Sequence, residues 1–208
     1  MNSDTNSTVT IGAQEWSSRN LNVAHYQNGD PIFEAKSVDE FFESGDKQIG
    51  AYCNYQFKSE LGMVHGKLYN WYAVADPRGL APKGFRVASL DDWNNLAKEL
   101  GGTADQWGRF NIAEKIKVSS WEKCSRWVGT NESGFNGIPA GMLYIGDSEE
   151  YPGFTSLNTD SFWWTSTEAK DPQKARLRKV NCEGSTLGDY WTGGDSKNNG
   201  LSVRCIKI

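Results

Sequence analysis

Six residues late in the chain, Asp189, Tyr190, Trp191, Asp195, Asn198 and Asn199, carry the chemistry a sugar site needs. Aromatic faces stack on the apolar C–H face of a pyranose, while amides and carboxylates take its hydroxyls. Gly193-Gly194 lets the intervening loop be shaped by a ligand. The stretch also reads as an ordinary exposed loop anchored by one Trp, and the residues alone leave the two readings level. The one cationic patch is Lys170, Lys174, Arg176, Arg178 and Lys179. Arg176 and Arg178 share a face of an expected strand, which reads as a solvated face.

Candidates for catalysis are fewer. Only His25 and His65 are bases near neutral pH without a perturbed pKa. Neither stands near a nucleophile elbow, an HExxH helix or a phosphate loop. The four cysteines, Cys53, Cys124, Cys182 and Cys205, are far apart and form no CxxC pair. That spacing argues against structural zinc and is too sparse for a disulfide scaffold. They read as buried free thiols, with one bridge, Cys182 to Cys205, left open. Asp147, Glu149 and Glu150 could gather a weak calcium but read as a solvated loop. No cofactor and no metal site is expected.

The elements that must position these residues follow from periodicity. Thr8 to Gly12 alternates polar and β-branched residues and predicts a strand. Ser37 with Glu40 forms a capping box for a short helix closed by Gly45. Residues 52–57 and 66–74 look extended and aromatic. The clearest helix follows Ser89: Asp92 sits at its third position, Leu90, Trp93, Leu96, Ala97 and Leu100 recur at helical spacing, and Gly101-Gly102 stops it. A further short helix is expected around Ile112 to Val118. From Trp121 onward, turn residues every 8–12 positions predict short strands and loops. Phe162 to Ser166 is a compact aromatic strand with Trp163 and Trp164 on opposite faces, one core and the other open to exposure. The alternating runs Ala175–Val180 and Leu201–Cys205 follow.

Composition bounds the rest. The chain has 208 residues with a formal charge of -4, so no global basic field draws nucleic acid. A mean hydropathy of -0.63, with no long apolar run, argues against a transmembrane helix. Nine tryptophans are many for this length and must serve a large core, a binding surface, or both. Residues 1–7 form a polar lead expected to be disordered, and 8–208 form a single α+β domain.

Taken in order, these segments resemble a family. Thr8-Val-Thr-Ile-Gly12, Gly66-Lys-Leu-Tyr-Asn-Trp-Tyr-Ala-Val74, Ala81-Pro-Lys-Gly-Phe-Arg-Val87, Asn131-Glu-Ser-Gly-Phe135, Phe162-Trp-Trp-Thr-Ser-Thr-Glu168 and Asn199-Gly-Leu-Ser-Val-Arg-Cys205 look like the Fibrobacter succinogenes major paralogous domain. Each is weak alone; the ordered set is specific. The resemblance implies a C-type lectin-like fold: two helices flanking small antiparallel sheets, paired terminal strands and a loop-rich second half. It also implies an exported or lipid-anchored protein of Bacteroidetes-like bacteria. Two departures stand out. Ser17-Ser18 replaces a usual Met-Ala, and Gly84-Phe-Arg-Val-Ala88 replaces Gly-Trp-His-Leu-Pro, so Arg86 stands where the family has His.

The lectin-type calcium motif is missing in working form: Pro139 is flanked by Ile138 and Ala140, and Asp171-Pro172-Gln173 reads as a turn. The expectation is therefore a non-catalytic recognition domain at the cell surface or outer membrane. It would bind a glycan or protein through Asp189, Tyr190, Trp191, Asp195, Asn198 and Asn199 without calcium. A structural, adhesin-like module is the alternative. An oxidase similar to formylglycine-generating enzymes, using Cys182 and Cys205, is the least favoured.

Overall fold

The ends of the chain meet in one sheet. A computed structural model describes residues 7–119, 121, 128–145, 153–189 and 193–208. Strands β1 (Thr8–Ile11) and β2 (Gln14–Ser17) form a hairpin that turns at Gly12, whose φ of 59° suits glycine. The chain continues through β3 (Phe33–Glu34), α1 (Val38–Asp46), β4 (Ala51–Cys53), a 3₁₀ turn at Tyr55–Phe57, α2 (Ser59–His65), β5 (Leu68–Tyr69) and α3 (Trp71–Val74). Next come β6 (Phe85–Val87), α4 (Leu90–Glu99) and α5 (Ala113–Ile116). Strands β7 (Ala140–Tyr144), β8 (Gly153–Leu157), β9 (Asp160–Glu168), β10 (Lys174–Asn181), β11 (Asp195–Ser196), β12 (Ser202–Val203) and β13 (Cys205–Lys207) complete it. β13 lies between β2 and β6, so the expected pairing of terminal strands is present. Of the expected polar lead only Ser7 is described, and its carbonyl accepts the Ser18 N–H at 2.9 Å.

The sheets are mixed, not purely antiparallel as expected. β7 runs antiparallel to β8 and parallel to β9, because the chain reverses twice between them. β12 also runs parallel to β9, as β3 does to β4. The architecture is α+β, with few helices and several small sheets.

Local chemistry explains the helices. Ser89 accepts the Asp92 N–H, and Asp92 accepts the Ser89 N–H at 2.7 Å, a complete capping box. Arg86 grips the same carboxylate at 2.8 Å, and Thr167 accepts the Leu90 N–H at 3.0 Å. The helix start thus has anchors that stand in for the missing family proline. Residues 66–74, expected to be extended, are a strand only at Leu68–Tyr69. Asn70 then accepts the Ala73 N–H at 3.1 Å and starts α3. Residues 52–57 likewise pass from strand into the 3₁₀ turn. At α1, Ser37 accepts the Glu40 N–H, while Glu40 reaches back one residue further, to the Lys36 N–H. Gly45 lies inside this helix instead of closing it.

Trp16, Trp93, Phe135 and Trp163 are fully buried together, with ring centroids 4.9 Å apart for Trp16–Trp93 and 5.4 Å for Trp93–Trp163. Trp164 is also fully buried, on the opposite face of β9. The expectation that one of the pair could be exposed is overturned, because β9 is an inner strand covered on both faces. Partners for the indole N–H groups are mostly backbone or amide oxygens: Asn20 for Trp163 at 2.8 Å, and the Tyr69 carbonyl for Trp164 at 2.9 Å. Trp121, expected in a loop, is 3% exposed and donates to the Gly137 carbonyl.

At the meeting of both chain ends sits Arg204, 0% exposed. It donates to the carbonyls of Ser17 (2.7 Å), Phe135 (3.0 Å) and Asn136 (2.7 Å) and to Asn20 Oδ1 (2.9 Å), and it lies over the Phe135 ring. Burial pulls its pKa down.

Candidate functional site

The four described residues of the six, Asp189, Asp195, Asn198 and Asn199, take separate partners. The Asp189 side chain is 5% exposed and locked between two arginines, so it is not free to take a sugar hydroxyl. Asn199 is 0% exposed; its Oδ1 accepts the Ile145 N–H at 2.8 Å, which makes it a core anchor. Asp195 pairs through its backbone with Ala175 at the sheet edge. Asn198 donates to Asp46 at 3.1 Å, beside α1. Tyr190 and Trp191 lie outside the described residues, as do Asp147, Glu149 and Glu150. Among the described residues, no group of three or more His, Cys, Asp and Glu side chains could hold a metal ion.

The arginines that hold Asp189 open onto a different place. Arg176 and Arg178 alternate with inward Ala175 and Leu177 along β10. They were expected on a solvated face; instead Arg178 is 3% exposed. The physical reason is long-range. Arg178 donates to Asp189 Oδ1 at 2.7 Å and to Asn94 Oδ1 on α4, while Arg176 puts Nε on Asp189 Oδ2 at 2.7 Å. Burial lowers the Arg178 pKa, and the Asp189 charge opposes that shift. Its Nε is buried with no acceptor.

These two side chains form one wall of a groove of about 270 Å³. α4 supplies a second wall through Leu90, Asn94 and Lys98, which lie along one side of the helix. The third wall is the turn that carries Trp107 and leads to Phe110. Asp105 builds this turn: its Oδ1 accepts the N–H groups of Trp107 (2.9 Å) and Arg109 (3.0 Å), and its Oδ2 accepts Arg109 Nε (2.7 Å). Those bonds, led by the Arg109 backbone N–H, hold the Asp105 pKa below the usual carboxylate range. Gly108 takes the left-handed position with φ 73°. Gly188 lets the turn dock, since a Cβ there would come within 2.5 Å of Arg109 Cγ. Backbone bonds between Phe110 and Leu187 fix the turn beside the Asp189 segment.

Trp107 remains 57% exposed, with the Arg109 guanidinium 4.6 Å from its ring centroid. The groove therefore combines an open indole, an amide and cationic donors. The chemistry expected around Asp189 exists nearby, on other residues. Sequence reasoning missed these residues: Trp107 reads only as loop-like, and Asn94 and Lys98 were not singled out. The signal available was local: Asp105-Gln-Trp-Gly-Arg109 is an Asp-capped turn that presents an aromatic ring beside a glycine.

The reading of all four cysteines as free thiols is corrected at Cys182, and the bridge left open between Cys182 and Cys205 is overturned. Cys182 is disulfide-bonded, and Cys205 is a free thiol 2% exposed, so they are not joined to each other. The partner of Cys182 lies outside the described residues. Cys53 is likewise free and buried. Burial pushes the Cys205 thiol up to about 12, the opposite of an activated thiolate. His65 ends α2 half-buried, its pKa lowered by burial, and its Nδ1 has no partner.

The family model for the Fibrobacter succinogenes major domain (Fib_succ_major) matches residues 9–207. The chain belongs to this family. No curated protein and no solved structure matches the chain. The groove lies wholly inside the Fib_succ_major match, as does Arg86, which in this member serves the cap of α4 through Asp92. No helix among the described residues is long and apolar enough to cross a membrane.

Proposed function

We propose that this Fib_succ_major domain is a non-catalytic recognition module of C-type lectin-like fold that binds a glycan, without calcium, at the extracellular or outer-membrane surface. The single observation that carries the reading is the groove: an exposed Trp107 beside Asn94, Lys98 and Arg176. A free indole face suits the C–H face of a pyranose, and the amide and cations suit its oxygens. The volume lies just below the usual range of ligand pockets, which starts at about 300 Å³, and suits one ring better than an extended chain. Surface location draws support from the disulfide at Cys182, since such bonds persist in oxidising compartments.

A glycan array tests the reading. The expected result is binding by the wild-type chain that Trp107→Ala abolishes while the unfolding midpoint stays in place, because the ring is mostly in water. Retained binding in that variant moves the site elsewhere. Absence of any hit favours a structural, adhesin-like module.

A further inference from the structure

The groove holds more positive charge than it neutralises. Among the described residues, Asp189 is the carboxylate that meets its arginines, accepting from Arg178 on one oxygen and from Arg176 on the other. Arg176 commits Nε and one terminal nitrogen to that oxygen, leaving its second terminal nitrogen uncommitted among the described residues. Lys98 makes no ion pair among the described residues. Arg178, although 3% exposed, has a buried Nε–H without an acceptor among the described residues. The chain as a whole carries -4, so this is a local reversal of sign. Guanidinium groups short of acceptors in a partly enclosed site favour an anionic oxygen, because charge-assisted bonds are stronger than neutral ones and less screened there.

We propose that the groove selects a sugar bearing an anionic group, a uronate carboxylate or a sulfate ester, bound by Lys98 and Arg176 with its ring on Trp107. This deepens, and rests on, the glycan reading above. The anion sits at the mouth between the ammonium of Lys98 and the open side of Arg176. Arg178 stays in the wall, where its bonds to Asp189 and Asn94 hold Arg176 and α4 in register. A neutral sugar would offer both mouth cations only uncharged oxygen acceptors, which make weaker bonds than an anionic oxygen.

The test is an array of matched pairs that differ only in charge: oligouronates with their methyl esters, and sulfated galactans with their desulfated forms. Binding to acidic members at least about tenfold tighter than to their partners is expected. That preference should shrink in ~0.5 M NaCl, where screening is short-ranged. In Lys98→Gln it should drop by about tenfold, a change at an exposed position whose circular dichroism should match wild type. Which pair responds identifies carboxylate or sulfate. Equal binding within every pair overturns the charge inference and leaves the glycan reading standing. No binding to any member overturns both.

Discussion

Two buried arginines of this chain are treated in opposite ways. Arg204, 0% exposed, spends its donors on the carbonyls of Ser17, Phe135 and Asn136 and on Asn20, and it joins both chain ends to the tryptophan core. Arg178, 3% exposed, has a carboxylate partner yet leaves its Nε–H unmet at the wall of a groove. A closed, carbonyl-satisfied cation is a structural joint. An under-satisfied cation in a groove wall leaves a donor that no described acceptor fills. The contrast lies in how far the fold satisfies one residue type.

The contrast can be broken most severely at Arg204. Arg204→Met should cost about 4 kcal/mol or more in urea unfolding, because it strands several buried carbonyls at once. A loss near 1 kcal/mol would show that water replaces the guanidinium. At the groove, Asp189→Asn should cost about 3 kcal/mol by leaving Arg178 buried beside a neutral partner. It should also loosen Arg176, so any glycan signal should weaken in step; unchanged stability would mean that Arg178 relaxes into solvent. The smallest effect belongs to the half-exposed Arg86. Burial raises the Asp92 pKa, but bonds from Arg86 and Ser89 outweigh it and hold the carboxyl below its usual range. A depressed carboxylate stabilises above its unfolded pKa and loses that contribution as pH falls. Asp92→Asn should therefore cost about 1 kcal/mol at pH 7. The gap to wild type should close as pH drops below about 3.9, read from unfolding midpoints across pH.

What was legible in the sequence was local. The Ser89–Asp92 box, the apolar stripe of α4 and the meeting of the N-terminal hairpin with the C-terminal strand, through β2, all follow from short-range pattern or from family resemblance. What was misread depends on residues distant in the chain. The burial of Arg178 is decided by Asn94, 84 positions away, and by Asp189, 11 away. The strand face looked solvated because alternation reports which side a residue takes, not what covers that side. Trp164 was left open to exposure for the same reason. Asn70 was read within an extended segment, yet its side chain accepts the N–H groups of both Ala51 and Ala73 and turns the backbone into α3. Asp189 and Asn199 were offered to a ligand by residue type, while the partners that occupy them, Arg176 with Arg178 and the Ile145 N–H, are set by the tertiary fold. An aromatic ring with polar company was expected after Asp189, whereas the described ring beside it comes from Asp105–Arg109.

The placement of the last strand carries a consequence for how the molecule is made. Cys205 donates its N–H to Ser17 at 3.0 Å across 188 positions, and Arg204 fills the centre of the core. A nascent chain whose residues 202–208 are still in the ribosomal tunnel therefore has an open slot between β2 and β6 and an uncapped tryptophan cluster. Final closure must wait until these last strands have left the tunnel, and until then the aromatic core is exposed to chaperones and to neighbouring chains.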